Sequence, residues 1–287
     1  MAASVDLPAY FARIGYPGPS EPTLAVLQEL AARHLSVIAF ENLDPLLGHP
    51  VDLDPAAIVT KLVRGRRGGY CQEHNSLFHD VLAALGFSVV ALGGRVLWTR
   101  DEGQPAPLTH RLTLVEFPEG KFIADVGFGG PCPTTPLCLE PGVEQTTPYG
   151  TYRFRRDGKA SELQLQVNDR WQAMYRFDLA AQSRADFEVA NWYTSTHPRS
   201  LFTQYLVACR IVGQTRVNLL NANLSVRQPD GRVEHRRLAG PGELEKVLEE
   251  VMGPAAHGGR NHLGEAAATA LVPPGSTCDQ LTTQEVV

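Results

Sequence analysis

The chain has 287 residues, 43% of them hydrophobic, a net charge of −5 and a pI near 6.0, which allows a sizeable core in two or three packed units. An acidic balance of this kind argues against a nucleic-acid partner, which leaves a basic footprint. Met1 to Tyr16 shows no basic start followed by an apolar run, and Phe87–Trp98 is short and broken by Gly93 and Gly94, so neither a signal peptide nor a membrane span is expected.

The first ninety or so residues read as helical. Ser20-Glu21-Pro22 opens a helix on which Leu24, Leu27 and Leu30 recur, and Asp54-Pro55 opens another carrying Ile58 and Leu62. A third begins close to Cys71, with Leu77, Val81 and Leu85 four apart and Gly86 at the stop. The pattern then turns to strands at Val89–Trp98, Arg111–Phe117 and Phe122–Val126, with a turn at Pro118-Glu119-Gly120. Glu162–Val167 and Trp171–Phe177 form a hairpin about Asn168-Asp169, and Asp178–Tyr193 reads as a helix. Strands follow around Leu206–Ile211, Val217–Leu220 and Leu224–Arg227, then a turn at Pro229-Asp230-Gly231, a helix at Glu243–Met252 and an irregular tail beyond Pro254. Helices first, then an antiparallel unit, then a mixed unit, is an α+β order and not a doubly wound sheet.

The five cysteines, Cys71, Cys132, Cys138, Cys209 and Cys278, are odd in number and irregularly spaced, which fits a reducing cytoplasm better than a disulfide framework. No metal-ligand spacing is present, and His257 and His262 lie in a glycine-rich stretch without co-ligands, so no metal is expected.

Arg67-Gly68-Gly69-Tyr70-Cys71-Gln72-Glu73-His74-Asn75 sets a cysteine at a helix start behind two glycines. Free amides there favour a thiolate and offer donors to an oxyanion, whereas free cysteine is more commonly a buried structural residue. Among nine histidines, His110 opens a strand after a proline-containing loop. Asp125 sits in the apolar run Ile123-Ala124-Asp125-Val126, where a carboxylate is costly without a partner. A solvated strand-end histidine and an aspartate tied to turn amides remain alternatives. If Phe117 pairs with Phe122, Asp125 faces Leu114 on the same sheet face as His110. That register leaves the two about four residues apart, roughly 13 Å. A bulge, a strong twist or a shifted turn has to close the gap.

Arg67-Gly68-Gly69-x-Cys71-x-Glu73-x-Asn75 resembles the active-site motif of the arylamine N-acetyltransferases, most of all the actinobacterial members. Phe40-Glu41-Asn42-Leu43, Thr109-His110, Asp125-Val126-Gly127-Phe128-Gly129 and Ser195-Thr196-His197-Pro198 fall in that family's order, over roughly residues 37–200. The resemblance implies a Cys71-His110-Asp125 triad on a helical bundle (1–88), a central antiparallel β-barrel domain (89–195) and a C-terminal α/β lid with tail (196–287), with a papain-like core. It implies acetyl-CoA as co-substrate, no permanently bound cofactor, and arylamines, arylhydrazines or arylhydroxylamines as acceptors, through an acetyl-Cys71 thioester. Gly127, Phe128, Gly129 and Gly130 become candidates for a loop meeting donor and acceptor, and Phe40, Tyr70 and His197 candidates for pocket residues. Glu41 and Glu73 read as loop braces; Arg64, Arg66 and Arg67 could meet CoA phosphates, but a solvated basic turn is the first reading of them. A papain- or transglutaminase-like hydrolase would use the same triad. The oligomeric state is left open, a homodimer being one option.

Overall fold

A computed structural model describes residues 5–98, 100, 103–253 and 260–270. Five short helices come first: α1 (Leu7–Ile14), α2 (Leu24–Val37), α3 (Leu43–Leu46), α4 (Pro55–Ile58) and α5 (Cys71–Ala84), with a two-residue strand β1 (Phe40–Glu41) between α2 and α3. Helix α2 is capped by Thr23, whose hydroxyl accepts from the Val26 amide, and not by Ser20; Pro22 lies ahead of the cap. Asp54 caps α4 as its Asp-Pro pair predicts, but the helix widens into a π-helical turn over Val59–Arg64. Tyr10, Leu27, Leu30, Leu62, Phe78 and Val81 fill the centre of this bundle without solvent contact. Each such burial is worth about 1.5–3 kcal/mol.

Eight antiparallel strands make the second unit: β2 (Ser88–Val96), β3 (Leu108–Phe117), β4 (Gly120–Ala124), β5 (Leu137–Cys138), β6 (Gln145–Thr147), β7 (Gly150–Asp157), β8 (Ala160–Val167) and β9 (Arg170–Ala181). Their order is β5-β4-β3-β2-β9-β8-β7-β6. The two edge strands are bridged by one side chain: the Gln145 amide receives the Cys138 N–H at 2.7 Å and donates to its carbonyl at 2.9 Å. That nearly closes the sheet into a barrel around Leu92, Leu112, Tyr152, Phe154, Leu163 and Tyr175. The β8–β9 turn is the two-residue form expected at Asn168-Asp169, both with positive φ.

Helix α6 (Arg184–Thr196) corrects the expectation for Asp178–Tyr193: β9 runs on to Ala181, and the helix starts at a Ser183-x-x-Asp186 capping box. After α7 (Leu201–Gln204), strands β10 (Val207–Val212), β11 (Thr215–Leu220), β12 (Asn223–Arg227) and β13 (Val233–Arg237) join β1 in a five-stranded sheet, order β1-β10-β11-β12-β13. Helix α8 (Pro241–Met252) packs Leu244, Leu248 and Val251 on that sheet, and α9 (Arg260–Ala270) gives part of the tail regular structure where none was expected. His257 and Cys278, with the side chain of His262, lie outside the described residues.

Candidate active site

Cys71 is the first residue of α5. The turn before it is held from both sides: Gly69 donates to the Ala39 carbonyl at 3.3 Å, and Glu41 donates to the Gly69 carbonyl at 2.7 Å. A side chain on Gly68 would overlap the Ala39 carbonyl, so only glycine lets this turn lie against β1. Glu73 accepts the Tyr70 N–H at 3.1 Å, satisfying one amide at the helix entrance. The Glu73 amide reaches the Tyr70 carbonyl at 3.0 Å, whereas the Cys71 and Gln72 amides have no carbonyl a turn earlier to bond, and their partial positive charge lies at the Cys71 thiol.

Glu41 and Glu73 brace this segment, and Arg67 with them. Lys61 bridges Asp44 at 2.6 Å and Glu73 at 2.7 Å; Arg67 bridges Asp44 at 2.8 Å and Glu41 at 3.0 Å. Arg67 is thus an interior ion-pair residue and not part of a solvated turn. Burial raises the Glu73 pKa, with Lys61 opposing, whereas Asp44, also raised by burial, is carried below its ordinary value by Lys61 and Arg67.

His110 and Asp125 come from β3 and from the residue just past β4. The turn between the strands is tighter than expected: Phe117 pairs with Gly120, and Phe122 with Val115. Continued one residue, that register sets Asp125 opposite Leu112, two residues from His110 and on the same face. A bulge adds to this, since Gly94 pairs with His110 but Arg95 with Leu108, leaving Thr109 as the extra residue of β3. The result is a hydrogen bond of 2.7 Å between His110 Nε2 and Asp125 Oδ2. The bulge also aims the Thr109 carbonyl at α5, where Gln72 donates to it at 2.8 Å and Cys71 Sγ lies 3.8 Å away.

Burial alone would lower the His110 pKa, but the Asp125 carboxylate and the Cys71 sulfur outweigh it and carry it up to about 10. Burial likewise works against an ionised Asp125, and His110, Asn75 and the Gly127 amide hold the carboxyl below its ordinary value. Asn75 ties the parts together. Its amide donates to Asp125 Oδ1 at 2.9 Å and to the Arg111 carbonyl at 2.6 Å, and accepts the Val126 N–H at 3.0 Å. Motif spacing marks Asn75 but does not reveal that function, because its partners lie 36 to 51 residues away. The nearby Cys132 is a different kind of thiol: burial, with Asp125 adding to it, raises its pKa well above the ordinary value.

A cavity of about 140 Å³ opens beside Cys71 and His110. Phe40, Gly127, Phe128, Gly129 and Gly130 line it, and Phe128 meets His110 edge-on at 5.2 Å. Tyr70 and His197 do not line it. Tyr70 is fully buried, with its hydroxyl on Asn191 and its ring 5.6 Å from Phe202. His197 ends α6 and stacks on Tyr193 at 4.6 Å. Sequence reading missed Val96, Trp98, Thr194, Leu201, Phe202 and Val207, which complete an apolar wall. They are scattered over β2, the loop after it, α6, α7 and β10, and no local motif marks them.

A sequence profile of the N-acetyltransferase family matches residues 23–254. The arylamine N-acetyltransferase of Mycobacterium bovis is 46% identical over 254 residues, covering 87% of this chain and 89% of that protein. The Escherichia coli K12 arylamine N-acetyltransferase is 41% identical over 245 residues, covering 85% and 87%. Among solved structures, the Mycobacterium marinum enzyme in complex with CoA superposes with a TM-score of 0.85 at 41% identity, covering 91% of this chain and 98% of that one. This chain belongs to the arylamine N-acetyltransferase family and is an acetyl-CoA-dependent acyltransferase.

Proposed function

We propose that the protein moves an acetyl group from acetyl-CoA to the nitrogen of an arylamine, arylhydrazine or arylhydroxylamine through an acetyl-Cys71 thioester. The observation that carries this reading is the buried His110–Asp125 pair at 2.7 Å beside a thiol at a helix N-terminus. With Nε2 engaged by Asp125, Nδ1 is the ring nitrogen left for Cys71. A protonated His110 then pairs with a Cys71 thiolate. In the first half-reaction the thiolate attacks the acetyl carbonyl, the new C–S bond forms and the CoA sulfur leaves with the His110 proton. One thioester replaces another, so little acyl-transfer potential is lost. In the second, the amine lone pair attacks acetyl-Cys71, neutral His110 takes the amine proton, and Cys71 departs as thiolate. The α5 amides, that of Cys71 first, face the developing oxyanion. An aryl amine suits this site because it is largely unprotonated near neutral pH, and Phe40, Phe128 and Phe202 offer it aromatic surface.

Incubation with acetyl-CoA and no amine is expected to add one acetyl mass to Cys71, and addition of an arylamine to discharge it. A papain- or transglutaminase-like hydrolase, the alternative, would instead cleave amide substrates without holding an acetyl adduct. Active protein that never acquires the adduct would overturn the proposal. We also place the protein in a reducing cytoplasm, a reading supported by free thiols at Cys71, Cys132, Cys138 and Cys209.

A further inference from the structure

A second and larger cavity, of about 400 Å³, lies away from the catalytic one, and three guanidinium groups line it: Arg13 of α1, Arg66 of the turn after the π-helix, and Arg210 of β10. None of the three has an ion-pair partner among the described residues, whereas Arg64 and Arg67 beside them do. Arg13 is only 7% exposed. Its Nε donates to the Leu62 carbonyl at 3.0 Å and its Nη2 to the Arg66 carbonyl at 3.1 Å, while Arg210 Nη2 donates to the Glu250 carbonyl at 2.8 Å.

These bonds let Arg13 and Arg210 cap the ends of two helices, which accounts for part of the cluster. They leave Arg210 Nε buried without an acceptor, and they give the Arg66 side chain nothing. Three like charges around one cavity repel, and gathering them without a counter-charge is costly where Val37, Ile211, Val212 and Met252 supply apolar walls. Burial brings the Arg13 pKa down to about 10, and Arg66 and Arg210 add to the fall. What such a cluster lacks is a compact anion with several acceptor oxygens, which guanidinium forks match.

We propose that this cavity binds a small, multiply charged oxyanion of the phosphate or phosphomonoester class, bridged by Arg13, Arg66 and Arg210. The site is separate from that of the acyl donor. Between the two cavities lies a gap of only about 20 Å³, which shares Phe40 and Gly129 with the catalytic cavity and Arg210 and Ile211 with the arginine cavity. Such a gap has room for about one water, and a pantetheine arm does not thread it. An anion here joins α1, the π-helical turn and β10, so its occupancy strengthens the contact between the bundle and the five-stranded sheet.

The proposal is independent of the acyl-transfer chemistry and is tested without turnover. Inorganic phosphate is titrated into the full chain at constant ionic strength, followed by 31P line broadening, calorimetry and Tm. Saturable one-to-one binding with a rise in Tm is expected, unchanged after alkylation of Cys71. Arg66→Gln, at an exposed side chain whose loss leaves the backbone carbonyl in place, is expected to weaken binding at least about fivefold. No response beyond that to chloride, or equal affinity in Arg66→Gln, would overturn the site. One-for-one displacement of phosphate by CoA would instead assign the cavity to the donor's own phosphates and overturn the claim of separateness.

Discussion

His110 and Asp125 meet through Nε2 and Oδ2 at 2.7 Å, with side chains only 2% and 1% exposed. Because the aspartate takes one ring nitrogen, the orientation of the other is set, and the two charges hold each other against the cost of burial.

Asp125→Asn removes the negative partner. Activity is expected to fall by roughly 10⁴ in kcat, the scale on which a histidine held in the wrong tautomer costs a triad enzyme. Stability should fall with a definite pH signature. His110 has a folded pKa of about 10, above its unfolded value, so its contribution is complete below about pH 6.5 and is lost as pH rises through 10. Asp125 has a lowered pKa, so its contribution is present above the ordinary carboxylate value and fades only at lower pH. Urea unfolding should therefore separate wild type from Asp125→Asn by about 3 kcal/mol near pH 6, and by much less at pH 10. A gap independent of pH would contradict the charged pair.

Asn75→Ala leaves Asp125 Oδ1, the Arg111 carbonyl and the Val126 amide each short of a buried partner. A loss of about 2–3 kcal/mol is expected in urea unfolding, since orphaned buried groups cost more than the bonds themselves yield. Alkylation of Cys71 by iodoacetamide should slow in step, as the His110–Asp125 geometry loosens.

Gly127→Ala tests close approach. A Cβ there would lie 2.9 Å from Asn75 Nδ2, closer than real Cβ atoms come, and 3.0 Å from the Cys71 Cα, tighter than most of their contacts. The helix start and the loop would have to separate, costing about 1–3 kcal/mol and at least tenfold in the rate of acetyl-Cys71 formation. Stopped-flow acylation measures it. Gly103→Ala, on an open loop, is the contrast for activity, because nothing lies within 4 Å of its added carbon.

Lys61→Met probes the ion-pair chain behind Cys71. Its removal strands Glu73, already raised by burial, and takes one of two cations from Asp44. Thermal unfolding should register about 3–5 kcal/mol. Arg176→Ala, which breaks a solvent-exposed pair with Asp157, should cost no more than about 1 kcal/mol.

Local chemistry made some parts legible in advance. Asp54-Pro55, the leucine spacing of α2 and the Asn168-Asp169 hairpin each carry their instruction within a few residues, and the structure follows them. The errors came where two local signals competed. Asp178–Ala181 has helical residue types, yet it continues β9 because Ala181 pairs with Leu92 of β2, and the helix waits for the Ser183 cap. Thr23 likewise caps α2 over the earlier Ser20, since only its hydroxyl lies three residues before the Val26 amide.

By itself the sequence determined the candidate parts of the site: a cysteine behind Gly68-Gly69 at a helix entrance, a histidine at a strand start, and an aspartate that an apolar strand would reject unless paired. Residue type and nearest neighbours suffice for those, and the ordered motifs suffice for the family. Tertiary structure alone decided that the parts meet. A two-residue turn and the Thr109 bulge close a gap that the wider register left at roughly 13 Å, and Asn75 fastens helix to strand across 50 residues. Register and bulge depend on how whole strands pack against the barrel core and α5, and no window of neighbouring residues contains that information.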